Sequence, residues 1–134
     1  MTEKIQETEI KKTRLRLSER LKLVASFVPE GSRIADIGTD HGYVPIYLVE
    51  KGICPKAYAM DINQGPIESA IKNIENYGLS EKIQAIKSNG LEKLEPEKAD
   101  TIIIAGMGGE LIVNILENGL AKLENCSRPV KELV

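Results

Sequence analysis

Arg33-Ile34-Ala35-Asp36-Ile37-Gly38-Thr39-Asp40-His41-Gly42 is a short apolar run that ends on an acid and then turns through two glycines four positions apart. A helical pattern follows from Tyr43. That layout fits a β-strand whose carboxyl end meets a nucleoside-bearing ligand. Glycines let the backbone approach such a ligand closely, and the next helix presents free N–H groups to it.

The flanking sequence supplies the rest of a sheet. Ser18 is placed to cap a helix with Leu21, Val24, Ala25 and Val28 at helical spacing, ended by Pro29 and Gly31. The first strand, residues 33–37, leads to a helix with Pro45 in its first turn and Gly52 at its stop. A second strand over residues 56–62 carries Asp61, and Pro66 opens a helix with Ile67, Ala70, Ile71 and Ile74 on one face and Gly78 as its cap. Residues 82–88 read as a third strand. Residues 99–105 hold Ile102-Ile103-Ile104, β-branched and apolar on both faces as in a central parallel strand. After Gly106-Met107-Gly108-Gly109 comes a helix with Leu111, Ile112, Ile115 and Leu116, predicted to stop at Gly119.

Strands alternating with helices predict an α/β fold: about four parallel strands with flanking helices, preceded by an N-terminal helix. The expected division is a basic segment and helix over residues 1–30, then a partial Rossmann-like domain over 31–134, with residues 1–12 charged and without clear period.

Composition narrows the function. The 134 residues suit one domain, and with four Tyr, one Phe and no Trp the core must rest on aliphatic side chains. No apolar run approaches a membrane span, and the charged N-terminus lacks the apolar stretch of a signal peptide. Cys54 and Cys126 form no Cys-x-x-Cys pair and read as reduced thiols, so a cytoplasmic setting is expected. With one histidine, no metal site is expected. The net charge of −2 does not advertise nucleic acid. Yet Lys11, Lys12, Arg14, Arg16, Arg20 and Lys22 face only the acid Glu19 in residues 11–22. Such a segment can meet phosphate, and it can equally be a solvated helix face.

The strand ends favour one cofactor. Asp61, 25 residues beyond Asp36, stands where a carboxylate accepts from ribose hydroxyls, which suits a dinucleotide and S-adenosylmethionine alike. A dinucleotide needs Gly-x-Gly-x-x-Gly for its pyrophosphate, whereas here Asp40 puts a negative charge there. S-adenosylmethionine carries an ammonium and a sulfonium, so Asp36 and Asp40 become assets. Asn89, beside Gly90 at the end of the third strand, can take the adenine amino group on its side-chain oxygen. Taken singly, a Gly-x-x-x-Gly is a turn and a strand-terminal Asp is a helix cap. Their coincidence at successive strand ends carries the reading.

Leu17-Ser-Glu-Arg20-Leu21, Ala35-Asp-Ile-Gly-Thr-Asp-His41, Asp61-Ile-Asn-Gln-Gly65-Pro66 and Ala105-Gly-Met-Gly-Gly109 also occur in the order found in one group. Over about residues 14–123 the chain resembles the bacterial TrmK-type methyltransferases, which methylate N1 of adenine at position 22 of tRNA. The resemblance implies a class I S-adenosylmethionine-dependent methyltransferase core, a separate helical C-terminal region, tRNA as partner and S-adenosylhomocysteine as product. No membrane, metal or obligate protein partner is expected from the sequence. Asp36, Gly38, Thr39, Asp40 and His41 fall on the first cofactor motif, Asp61, Ile62 and Asn63 on the ribose-binding segment, and Asn89 and Gly90 on the adenine-contacting one. Gly106, Met107 and Gly108 take the place of the loop that holds the target base in other nucleobase methyltransferases. With Asp40 they are the candidate catalytic residues, and Gly106 also borders the cofactor. Lys11, Lys12, Arg14, Arg16, Arg20 and Lys22 are the candidate RNA contacts.

The sequence departs from the family pattern after Asn125. Cys126-Ser-Arg-Pro129-Val-Lys-Glu-Leu-Val134 does not match an apolar fifth strand, so the chain reads as C-terminally truncated and its fourth strand is expected to be an exposed apolar edge. Three functions stay open: a tRNA methyltransferase, a small-molecule methyltransferase on the same core, and a cofactor-binding fragment without turnover.

Overall fold

The computed structural model describes residues 17–95, 97–105, 107–124 and 132–133. The elements run α1 (Glu19–Ser26), β1 (Ile34–Ile37), α2 (Tyr43–Glu50), β2 (Ala57–Asp61), α3 (Gln64–Asn76), β3 (Ile83–Lys87), β4 (Thr101–Ile104), α4 (Gly109–Glu124) and β5 (Glu132–Leu133). The sheet order is β3-β2-β1-β4-β5 with every pairing parallel. The order reverses between β1 and β4, which creates the switch point of a Rossmann-like sheet at the carboxyl ends of those two strands.

The central strands are buried along their whole length, as the Ile-rich run of β4 requires. Alternation along each strand splits the core between the two faces. Ile34, Ala57, Ala59, Ile83 and Ile103 pack with α1, α2 and α3, whereas Ala35, Ile37, Met60, Ile102 and Ile104 pack with Leu91, Leu94 and Ile115. The Ser18 side chain caps α1, accepting from the Leu21 N–H at 3.3 Å. Gly78 follows α3 with φ +68°, the left-handed turn expected of its C-terminal glycine.

Three expectations are corrected. First, β4 is not an open edge, because β5 pairs alongside it with Thr101 opposite Glu132 and Ile102 opposite Leu133. Parallel pairing uses backbone groups, so a two-residue Glu-Leu segment suffices without a long apolar run. Second, α4 runs through Gly119 to Glu124. That glycine is there for close packing: a Cβ on it would lie 2.5 Å from Leu91 Cβ. Third, Ile71 is 42% exposed, so the buried face of α3 narrows to Ile67, Ala70 and Ile74. Cys126 and Pro129 lie outside the described residues, and Cys54 is a buried free thiol.

At the amino ends of β1 and β4, Arg33 and Asp100 form a bidentate pair. Arg33 Nε and Nη2 donate to the carboxylate at 3.1 and 2.9 Å, and the Arg33 backbone N–H donates to it at 3.0 Å. The paired carboxylate raises the guanidinium pKa further above its usual value. This closes the end of the sheet opposite the switch point.

Candidate functional site

The turn after β1 is built around Gly38, whose φ is +73°. The N–H groups of Gly38 and Thr39 both donate to the Met60 carbonyl, at 2.8 and 3.0 Å, which bends the chain over the end of β2. A Cβ at Gly38 would collide with the methyl of the Met107 side chain. Gly38 therefore serves both its backbone conformation and the approach of the segment after β4.

Gly38 borders two cavities. One, of about 190 Å³, lies between α1 and the ends of β1 and β4, against Arg20, Asp36, Thr39, Asp40 and Ala105. The other, of about 240 Å³, lies over the ends of β2 and β3, against Asp61, Ile62, Asn63, Asn89, Gly90 and Leu111. Both sit at the carboxyl edge of the sheet, where a doubly wound fold binds its ligand. A larger hollow of about 470 Å³, near Tyr58, Gln84 and Lys98, carries none of the strand-end acids and lies away from this cleft.

The first cavity is acidic in an unusual way. Asp36 is only 4% exposed. Burial pushes its pKa up to about 7; the Thr39 hydroxyl opposes the shift, and the negative charges of Asp40 and Asp61 add to it. A cation entering that cavity would hold the carboxylate ionised. Asp40, by contrast, is largely exposed, and it faces His41 with Oδ1 3.3 Å from Nε2.

The second cavity combines a carboxylate with apolar walls. Asp61 Oδ1 accepts from the Asn63 N–H at 2.9 Å, which fixes the carboxylate and leaves acceptor capacity toward the cavity. Ile62 and Leu111 are 54% and 51% exposed on the same opening. Exposed aliphatic side chains facing one slot suit the flat faces of a purine. Ser88 is locked below them, donating to the Gly90 carbonyl at 2.9 Å and accepting from the Lys93 N–H at 3.1 Å.

The structure thus brings together Asp36, Gly38, Thr39 and Asp40 on one side, and Asp61, Ile62, Asn63, Asn89, Gly90 and Met107 on the other. His41 lies beside Asp40 and turns toward α3. Gly108 accepts from the Ile112 N–H at the start of α4, and the space around its Cα is open. Gly106, Lys11, Lys12, Arg14 and Arg16 lie outside the described residues. Arg20, expected to face RNA, lines the Asp36 cavity. Lys22 pairs with Glu19 at 3.6 Å on the surface. Leu111 and Ile115, expected only as core of α4, also line the second cavity. Their helical spacing betrays an apolar face, but only the fold reveals that its first turn overhangs the strand ends.

Known proteins share this fold. Residues 17–132 match the methyltransferase domain family. The tRNA (adenine(22)-N(1))-methyltransferase of Bacillus subtilis (strain 168) is 45% identical over 114 residues, covering 85% of this chain and 48% of that protein. The crystal structure of the B. subtilis M1A22 tRNA methyltransferase TrmK aligns with a TM-score of 0.82 at 44% identity, over 90% of this chain and 50% of that one. M. capricolum TrmK, solved with the cofactor product S-adenosyl-homocysteine, aligns at 0.72 with 47% identity, over 76% of this chain and 46% of that one. The chain spans about half the length of these relatives. It belongs to the methyltransferase domain family, and its similarity lies with the TrmK-type members.

Proposed function

We propose that this chain is the cofactor-binding part of a cytoplasmic S-adenosylmethionine-dependent tRNA methyltransferase, which transfers a methyl group to N1 of adenine 22. The observation that carries the reading is the cleft split by Gly38, with buried Asp36 on one side and Asp61 among aliphatic walls on the other. The donor's amino-acid end, with its ammonium, fits beside Asp36. Its ribose fits Asp61, and its adenine fits the slot of Ile62, Asn89 and Leu111. A pyrophosphate would meet Asp36 and Asp40 instead, which disfavours a dinucleotide.

S-adenosylmethionine held by Asp36, Asp61 and Asn89 would supply the methyl, adenine N1 bonding to that carbon as the sulfur–carbon bond breaks and its electron pair returns to sulfur. Neutral adenine already offers the N1 lone pair, so the protein need not remove a proton first. Its contribution is placement of the two partners and stabilisation of charge. Positive charge moves from the sulfonium to the purine, and the exposed Asp40 carboxylate at the cavity is suited to balance it. Gly106, Met107 and Gly108 would border the target base, which must leave its RNA stack to be reached. Arg20, with Lys11, Lys12, Arg14, Arg16 and Lys22, would contact tRNA phosphates.

A second reading, binding without turnover, draws on the open space around Gly108 and Gly109: among the described residues, chain neighbours aside, nothing lies within 4 Å of where a Cβ would stand on either. Calorimetry with S-adenosylmethionine and S-adenosylhomocysteine, followed by labelled methyl transfer to unmodified tRNA, separates the two. Transfer to a tRNA with adenine at position 22, and none when guanine replaces it, is the expected result. Binding without transfer selects the second reading, and failure to bind either ligand defeats both. Arg20→Ala is expected to weaken tRNA binding and to lower its logarithmic salt slope by about one. An unchanged slope would remove Arg20 from the RNA contacts.

A further inference from the structure

Three successive residues in the turn after β1 have positive φ: Asp40 at +45°, His41 at +63° and Gly42 at +75°. Only the glycine adopts this region without strain, so the segment must be held from outside. One face of α3 does so. Asn73 Nδ2 donates to the His41 carbonyl at 2.9 Å, and His41 Nδ1 lies 2.5 Å from Ser69 Oγ. Between these contacts Ala70 packs under Gly42 so closely that a Cβ there would come within 3.3 Å of the Ala70 methyl. On the far side of the imidazole, Nε2 faces Asp40 Oδ1 at 3.3 Å.

Electrostatics selects the tautomer. A neutral imidazole has one donor nitrogen and one acceptor, and an ionised carboxylate only accepts. Nε2 must therefore carry the hydrogen that points at Asp40. Nδ1 then accepts, and the Ser69 hydroxyl, able to play either part, becomes the donor. The opposite tautomer would set a nitrogen lone pair against the carboxylate.

Building on the methyl-donor reading of the cleft, we infer that Ser69 and Asn73 are positioning residues for it. Ser69 holds the His41 ring in the orientation that points Nε2 at Asp40, Asn73 holds the His41 backbone, and together they keep Asp40 at the edge of the Asp36 cavity. Neither residue lines either cavity, so each acts through the turn. Helix α3 begins three residues after Asp61, which makes one rigid element the support for both halves of the cleft.

The chain has a single histidine, so ¹⁵N-histidine labelling reads His41 alone. The wild type is expected to show the Nε2–H tautomer. Ser69→Ala should let the ring swing away from Asp40, so that the tautomers mix, and should weaken S-adenosylhomocysteine binding about tenfold, the effect of losing one well-placed hydrogen bond. Ser69→Thr, which restores the hydroxyl, should recover both. Asn73→Asp keeps the shape but loses the donor to the His41 carbonyl, and is expected to weaken binding by a similar factor. A wild-type Nδ1–H tautomer, or a Ser69→Ala protein with unchanged tautomer and affinity, would overturn it. Should the wild type bind no S-adenosylhomocysteine, the methyl-donor reading fails, and with it the positioning role toward the donor. The imidazole spectrum would then judge the Ser69–His41–Asp40 arrangement by itself.

Discussion

Asp36 shows how one residue can cost the fold stability and still define the site. Its pKa rises from 3.8 to about 7 because burial disfavours the charged form, and the native state therefore prefers it protonated. The stability contributed by this preference is fully present below pH 3.8 and is lost as pH rises through 7. A shift of this size corresponds to roughly 4 kcal/mol, the order of magnitude of the penalty at alkaline pH. Asp36→Asn is accordingly expected to be more stable than the wild type at pH 8, by up to about that amount, with the advantage vanishing near pH 4. Urea titrations at the two pH values check this, and equal stability at pH 8 would refute it. The same variant should bind S-adenosylhomocysteine more weakly. In the wild type, binding at pH 6 should release close to one proton as the ligand ammonium ionises Asp36, measurable by calorimetry in buffers of different ionisation enthalpy. An acid at the end of an apolar run was legible in the sequence. Its neutral state was not, because Val44 and Ile103, which border the same cavity, come from a different helix and a different strand.

Among the elements, α4 tests how far a glycine can be read without its neighbours. In a linear sequence Gly119 looks like a helix stop, yet it lies five residues before the helix ends and is buried against Leu91. Replacing it with Ala would gain up to about 1 kcal/mol of helix propensity. The added methyl would also overlap Leu91 Cβ, which is tied to backbone and cannot swing aside, and overpacking of this kind costs about 1–3 kcal/mol. A contact as short as 2.5 Å to a backbone-tied atom puts the second effect ahead, so Gly119→Ala is expected to destabilise the protein by up to about 2 kcal/mol, read from the urea midpoint. A stabilised variant would mean that the crossover carrying Leu91 yields easily. The same limit on sequence reading explains β5 and Ile71. Pairing of Glu132–Leu133 with β4 depends on backbone placement, and the width of the buried face of α3 depends on what packs against it. By contrast, the helix cap at Ser18, the buried Ile run of β4 and the acid ending β2 arise from local chemistry, and all were readable.

Across the whole molecule, the two ends of the sheet separate stability from function. The amino end is held by Arg33 and Asp100, whose side chains are 20% and 17% exposed and which meet through two side-chain hydrogen bonds and one from the backbone. The carboxyl end opens into the cleft, where the charges of Asp36, Asp40 and Asp61 act on one another and on a ligand. Asp100→Ala would leave the guanidinium without its carboxylate and the start of β1 without an acceptor, at a cost of about 2–3 kcal/mol. Within a typical stability of about 5–15 kcal/mol the domain should remain folded at 25 °C, with its affinity for S-adenosylhomocysteine unchanged. Asp61→Ala should do the reverse, because its carboxylate is partly exposed and, in the proposed pose of the donor, accepts from ribose hydroxyls. Loss of one or two hydrogen bonds to a charged acceptor predicts roughly tenfold to hundredfold weaker binding, with a smaller change in melting temperature. Saturating ligand should raise the melting temperature of the Asp100 variant as much as that of the wild type, since stabilisation by binding depends only on ligand concentration relative to Kd. Measured together, the two variants form a crossed test. If Asp100→Ala weakened binding as much as Asp61→Ala, the ends of the sheet would be coupled, and the fold could not be treated as a rigid frame around its cleft.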